Sequence, residues 1–176
     1  MIILVSGGKS SAGKTTLIRV LLSIFPERFF VVKITPSVHY GEGIVTDEEV
    51  LKTKGKDTAF FLNEGAKKVF WVRGEKGKIS HYLNEVMRSV KGDVIVEGNS
   101  FLQLRQPDLM FFVEKESAEA KEGAEPLKVR ADFIIINTET KTFLVEGKVI
   151  TANLSDVLKD ISHPFRTELK KILTRI

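Results

Sequence analysis

Eight consecutive residues, Gly8-Lys9-Ser10-Ser11-Ala12-Gly13-Lys14-Thr15, fit the spacing G-x-x-x-x-G-K-[ST] in full. That spacing suits phosphate chemistry. A run of backbone N–H groups can curl round a β-phosphate, and glycines permit the angles and close approach that a Cβ would block. Lys14 then supplies charge to the β and γ phosphates, the Thr15 hydroxyl ligates Mg²⁺, and Thr16 follows at the start of the next element. The plain alternative is a glycine-rich turn that merely joins a strand to a helix; the complete match in the right setting sets it aside.

A second signal is Asp93-Val94-Ile95-Val96-Glu97-Gly98, an apolar strand that ends in a carboxylate and a glycine. Glu97 at such a strand end, beside a phosphate loop, can hold Mg²⁺ through its waters, although an ordinary strand-end acid reads the same way. Asn137-Thr138-Glu139-Thr140 partly follows the guanine-reading pattern Asn-Lys-x-Asp, with Asn137 in place, Thr138 for the lysine and Thr140 for the acid. A strand-end Asn is also a common turn residue. GTP is therefore the nucleotide expected, with ATP left open. Asp47, in the long loop after the second strand, is a candidate for positioning water or metal during catalysis. Lys56 and Asp57 stand at a helix start near the strand ends, where ligands bind in open α/β sheets, and Asp57 reads equally as a helix cap. His39 and Tyr40 could stack on a substrate ring. Arg73 and Arg105, near strand ends, are the arginines available to an active site.

These residues need strands and helices to position them, and the apolar pattern supplies both. Ile2–Val5, Phe29–Ile34, Lys68–Arg73, Asp93–Glu97, Leu109–Val113 and Phe133–Ile136 read as strands, several continuously apolar, as when both faces of a sheet are covered. Leu17, Val20, Leu21 and Ile24 recur at helical spacing and stop at Pro26. Helices are also expected over Thr58–Asn63 and Ile79–Val90, and in the tail around Val157, Leu158, Leu169 and Leu173, with a break at Pro164. The segment from Thr35 to Thr53 reads as loop, and Glu114 to Glu125 as solvated loop or fraying helix. Lys141-Thr142 is expected to turn a hairpin into Phe143–Glu146. Strands alternating with helices predict an α/β, three-layer P-loop fold with a mostly parallel sheet and helices on both faces.

Composition narrows the chemistry further. The 176 residues suit a single nucleotide-binding domain over 1–176 with a sizeable core. No cysteine is present, which excludes disulfides, thiolate zinc sites and cysteine nucleophiles. The three histidines, His39, His81 and His163, are too scattered for a His-built metal site. A net charge of +4 is too small to announce a nucleic-acid partner. The apolar start at Met1–Val5 is too short for a signal peptide or a membrane span, so a cytoplasmic protein is expected.

Phosphate loop, Gly55-Lys56-Asp57-Thr58, Glu64-Gly65-Ala66 and Val94-Ile95-Val96-Glu97-Gly98 occur in that order. Together, over about residues 1 to 115, they resemble the molybdopterin-guanine dinucleotide biosynthesis protein B family, GTP-binding P-loop proteins of the SIMIBI class. The resemblance implies a homodimeric, weak GTPase that assists molybdenum-cofactor maturation beside a molybdopterin nucleotidyltransferase. The chain departs from that family where Lys33-Ile34-Thr35-Pro36 replaces Lys-His-Thr-His and where Ala12 replaces serine. Lys9, five residues before Lys14, is placed like the second lysine of the dimeric MinD and ParA type ATPases, which implies a catalytic reach across a dimer. A P-loop small-molecule kinase or ATP-dependent synthetase, and an ATP-driven dimer switch, are the alternatives.

Overall fold

The computed structural model describes residues 1–9, 11–39, 41–116 and 123–175. In chain order these form β1 (Ile2–Gly7), α1 (Lys14–Ile24), β2 (Phe29–Thr35), β3 (Gly43–Val45), α2 (Glu48–Leu51), α3 (Asp57–Asn63), β4 (Lys68–Arg73), α4 (Lys76–Ser89) and β5 (Asp93–Glu97). A 3-10 turn over Asn99–Gln103 follows, then β6 (Leu109–Lys115), α5 (Glu125–Val129), β7 (Phe133–Asn137), β8 (Phe143–Glu146), β9 (Val149–Ala152), α6 (Leu154–Lys159) and α7 (Pro164–Thr174). The strands make one sheet in the order β3-β4-β2-β5-β1-β6-β7-β9-β8. The interior is parallel, and only the two edge strands, β3 and β8, run antiparallel to their neighbours.

Successive side chains on each strand point to opposite faces, so the apolar runs feed two cores at once. On one face Ile3, Val5, Val31, Val69, Ile95 and Phe111 pack under α1, α3, α6 and α7. On the other, Leu4, Val32, Val72, Val96 and Phe112 pack against α4 and the 3-10 turn. The mostly parallel α/β architecture read from the sequence is the one observed.

Two local expectations change. The stretch read as loop from Thr35 to Thr53 contains β3 and α2, both too short to show a period. The hairpin is not at Lys141-Thr142. β9 lies between β7 and β8, pairing parallel with the first and antiparallel with the second, and the tight turn falls at Gly147 with φ +60°. The tail does break ahead of Pro164, which begins α7, as its fixed φ and missing N–H allow at a first helical position. Of the run Glu114 to Glu125, residues 117–122 lie outside the described residues; Glu114 and Lys115 continue β6, and Glu125 opens α5.

Candidate functional site

β1 delivers the phosphate loop at the C-terminal edge of the sheet, and α1 departs from its last residues. Two glycines are forced by geometry. A Cβ on Gly7 would meet the Val113 carbonyl oxygen at 2.5 Å. Gly13 has φ +110°, and a Cβ there would strike Asn137 Nδ2 at 2.6 Å. The loop is bracketed by two asparagines. Asn99, in the 3-10 turn, accepts from the Gly7 N–H and donates to the Gly7 carbonyl, both at 3.3 Å. Asn137, at the end of β7, donates to the Ala12 carbonyl at 3.1 Å and accepts from the Leu154 N–H at 3.1 Å. Gly8 N–H donates to Val113 O at 3.2 Å. Within the loop, Lys14 Nζ donates to the Lys9 carbonyl at 2.8 Å.

The Thr15 hydroxyl donates to Glu97 Oε1 at 3.2 Å, so the two residues read as metal ligands from segments 82 positions apart do meet. Glu97 is only 6% exposed. Its other oxygen accepts from Lys33 Nζ at 3.2 Å, and Lys33 in turn donates to Asp57. Strand register explains the cluster. Val5 pairs with Glu97, Glu97 with Lys33, and Lys33 with Trp71, a row across β1, β5, β2 and β4 on a single face. Burial would lower the Lys33 pKa, but the Glu97 charge and the Asp57 hydrogen bond outweigh it and hold the ammonium above the ordinary lysine value. Arg19 pairs with Glu64 at 2.6 Å and lies over Phe60, tying α3 to α1 and so fixing Asp57.

Beyond Lys33 opens a cleft of about 340 Å³ between the ends of β2 and β4 and the start of α3, lined by Thr35, Gly55, Lys56, Asp57 and Trp71 as well as Lys33. Trp71 Nε1 donates to Thr35 Oγ1 at 2.9 Å, and both Lys56 and Arg73 lie 4.9 Å from the indole centroid.

The structure thus brings together Gly8, Ala12, Gly13, Lys14, Thr15, Glu97 and Asn137. Ser11 is exposed on the loop, Thr16 sits in the first turn of α1, and Lys9 is half-buried with its carbonyl turned to Lys14. Ser10 and Tyr40 lie outside the described residues. Three candidates have surroundings that the sequence did not foretell. Asp47 caps α2, accepting from the N–H groups of Glu49 and Val50, and the antiparallel run of β3 carries it away from the edge where the phosphate loop lies; no catalytic part is assigned to it. Asn137 brackets the loop, its amide donating to the Ala12 carbonyl and accepting from the Leu154 N–H. Asp57 is not a helix cap either: Lys56 holds the capping position, and the Asp57 carboxylate faces Lys33. Of the two arginines, Arg73 lies over the Trp71 ring that lines the cleft, whereas Arg105 lines a separate hollow with Leu83 and Phe101 under the opposite face. Lys33 was not a candidate from sequence, though a lysine interrupting the apolar run Phe29–Ile34 was the available signal.

Sequence comparison finds no matching protein family, and no curated protein matches either. Structure comparison does find likenesses. LpxK from Aquifex aeolicus, solved in complex with ATP, superposes with a TM-score of 0.56 at 15% identity, covering 85% of this chain and 53% of that one. The fold is that of the P-loop NTPases. The chain spans about half the length of LpxK. The MinC:MinD cell division protein complex from the same organism gives a TM-score of 0.41 at 16% identity, covering 90% of this chain and 77% of that one. No helix among the described residues is long and apolar enough to cross a membrane.

Proposed function

We propose that the chain, as a single nucleotide-binding domain over residues 1–176, binds a Mg²⁺–nucleoside triphosphate at Gly8–Thr16 and hydrolyses it slowly. The observation that carries this reading is the Thr15–Glu97 contact at the foot of a complete phosphate loop. Two hard oxygen donors, one neutral and one anionic, fit Mg²⁺, which takes one or two protein oxygens and completes its shell with phosphate and water. Thr15 and Glu97 would hold it, and when bound it would neutralise charge developing on the phosphates. The protein's own part is positioning. Backbone N–H groups of the loop gather the phosphate oxygens, Lys14 places its ammonium beside the β and γ groups, and Lys33 holds one Glu97 oxygen so that the other meets Thr15.

The finer reading is GTP as nucleotide and molybdopterin guanine dinucleotide biosynthesis as setting, in a cytoplasmic homodimer that works beside a molybdopterin nucleotidyltransferase. The order of Gly55-Lys56-Asp57-Thr58 and Glu64-Gly65-Ala66 behind the loop supports it. In that dimer Lys9 would reach the partner's phosphates. A second reading, phosphoryl transfer from ATP to a small acceptor, is favoured by the cleft that adjoins Glu97 through Lys33. Calorimetric titration with Mg²⁺–GTP and Mg²⁺–ATP tests all of this. Preference for GTP supports the finer reading, preference for ATP moves the assignment to the second, and binding of neither overturns the nucleotide site.

A further inference from the structure

Lys56, which lines the cleft between β2 and β4, and Arg73, on the Trp71 ring beside it, lack counter-charges among the described residues. Arg19, Arg28, Lys33, Lys78, Lys115 and Lys128 each have a carboxylate partner. Neither Lys56 nor Arg73 has one among the described residues; both lie over the same indole, at 4.9 Å each. The ring attracts each of them and neutralises neither. Arg73 Nε is moreover buried with no hydrogen-bond partner among the described residues, a donor left unmet. Thr35 Oγ1, which receives the Trp71 N–H, keeps its own hydrogen to give. Asp57, which also lines the cleft, is an acceptor already held by Lys33. An unpaired cation, a hydroxyl donor and a carboxylate acceptor in one cleft define a complementary ligand.

We propose that this cleft is the site of a second ligand: a small anion whose phosphate or carboxylate lies against Lys56 and Thr35, with Arg73 on the same indole adding positive field, and whose hydroxyl or amino hydrogen faces Asp57. A volume of about 340 Å³ suits a small metabolite and is too small for a dinucleotide. The site is separate from the phosphate loop, with the Lys33–Glu97 pair as the wall between them. It rests on the nucleotide reading only for the identity of its neighbour.

Trp71 is the sole tryptophan, so its fluorescence reports from the cleft itself. The probes are inorganic phosphate and glycerol phosphate, titrated into Lys14→Ala protein so that the phosphate loop contributes little. The expected result is a saturable change in emission, with glycerol phosphate the tighter because it adds hydroxyl donors for Asp57. The Lys56→Gln/Arg73→Gln protein should weaken both by about tenfold or more, and Lys56→Gln alone by a smaller factor. In protein with Lys14 intact, the same two substitutions should leave the calorimetric affinity for Mg²⁺–nucleotide within about twofold. No change in emission up to about 10 mM phosphate, a change equalled by chloride at the same ionic strength, or an unaltered titration in folded Lys56→Gln protein would overturn the proposal. Loss of nucleotide binding alone would overturn the function proposed above and leave this one standing.

Discussion

The phosphate loop and the cleft beside it sit on the same edge of one sheet, yet they are held in opposite ways. The loop is gripped by neutral groups: two asparagine side chains, a carbonyl to amide contact at Gly8, and glycines that let backbone meet backbone. The cleft is held by charge, through Asp57, Lys33 and Glu97 in a line and two cations on one indole. A site that must receive three or four phosphate charges gains from a frame that adds none of its own, since N–H dipoles fixed in place need no reorganisation when the charge arrives. A site gripped by ion pairs is instead tuned by whatever alters those pairs. The contrast predicts that damage to the loop changes affinity and turnover, whereas damage to the cleft changes stability and its dependence on pH.

The largest effect expected is on the loop side. Lys14→Ala should lower nucleotide turnover by about 10²–10³-fold through loss of charge at the phosphates, with little change in the unfolding midpoint, because Lys14 packs no core. Turnover at saturating Mg²⁺ and a urea melt on the same sample check both halves. The converse holds for Lys33→Met. Removing the ammonium leaves the buried Glu97 facing Asp57 uncompensated, and breaking a buried pair costs about 3–5 kcal/mol, with the lower end apt here because Asp57 is 37% exposed. Denaturant unfolding at constant slope measures it, and Lys33→Met/Glu97→Gln should recover a good part of the loss. A Lys33→Met protein as stable as the parent would erase the distinction between the two regions.

The same contrast decides what could be read from the sequence. The loop is contiguous, and its chemistry depends on spacing along the chain, so Gly8 through Thr15 announce it. Glu97 was legible because a strand that ends in an acid and a glycine is also a local pattern. The cleft is assembled from three segments by strand register: Lys33 meets Glu97 and Trp71 only because β2 lies between β5 and β4. Nothing in one sequence gives that order. The same holds for Asn99, which follows β5 and grips Gly7 on the strand beside it. The place of Asp47 was not legible because distance along the chain from the second strand says nothing of direction, and the antiparallel β3 carries it the other way. The β8–β9 hairpin was misplaced because Lys141-Thr142 and Glu146-Gly147 both read as turns, and only the pairing of β9 with β7 tells them apart.

A smaller effect separates the two asparagine brackets. Asn137→Ala strips partners from the Ala12 carbonyl and the Leu154 N–H, joining the loop to α6 no longer, and should cost about 1–3 kcal/mol. Asn99→Ala loses two longer contacts to a single residue, Gly7, and should cost about 1 kcal/mol. Unfolding melts of the two variants, with and without Mg²⁺–nucleotide, measure the difference. Should Asn99→Ala prove the more damaging, the loop is held chiefly from the β5 side.

The smallest effect, and the one most particular to the comparison, is the alkaline limb of stability. Lys33 has its folded pKa held above 10.5, chiefly by Glu97 and Asp57 working against burial. A group whose folded pKa is raised contributes its full stabilisation below the unfolded value and loses it as pH climbs through the folded value. The contribution of Lys33 is therefore constant through neutral pH and falls away only beyond about 10.5, as the bridge between Asp57 and Glu97 loses its proton. Other groups titrate in that range, Lys78 and Tyr82 among them, both raised first of all by hydrogen bonds to Glu42. The readable quantity is thus the difference in unfolding midpoint between the parent and Lys33→Met. It should stay flat from pH 7 to about 10 and shrink above that. The matching difference for Asn137→Ala should stay flat throughout, because an amide has no proton to lose in this range. Equal slopes for the two differences would mean that the cleft is not held by the Lys33 charge, and the division between a neutral grip and a charged one would have to be abandoned.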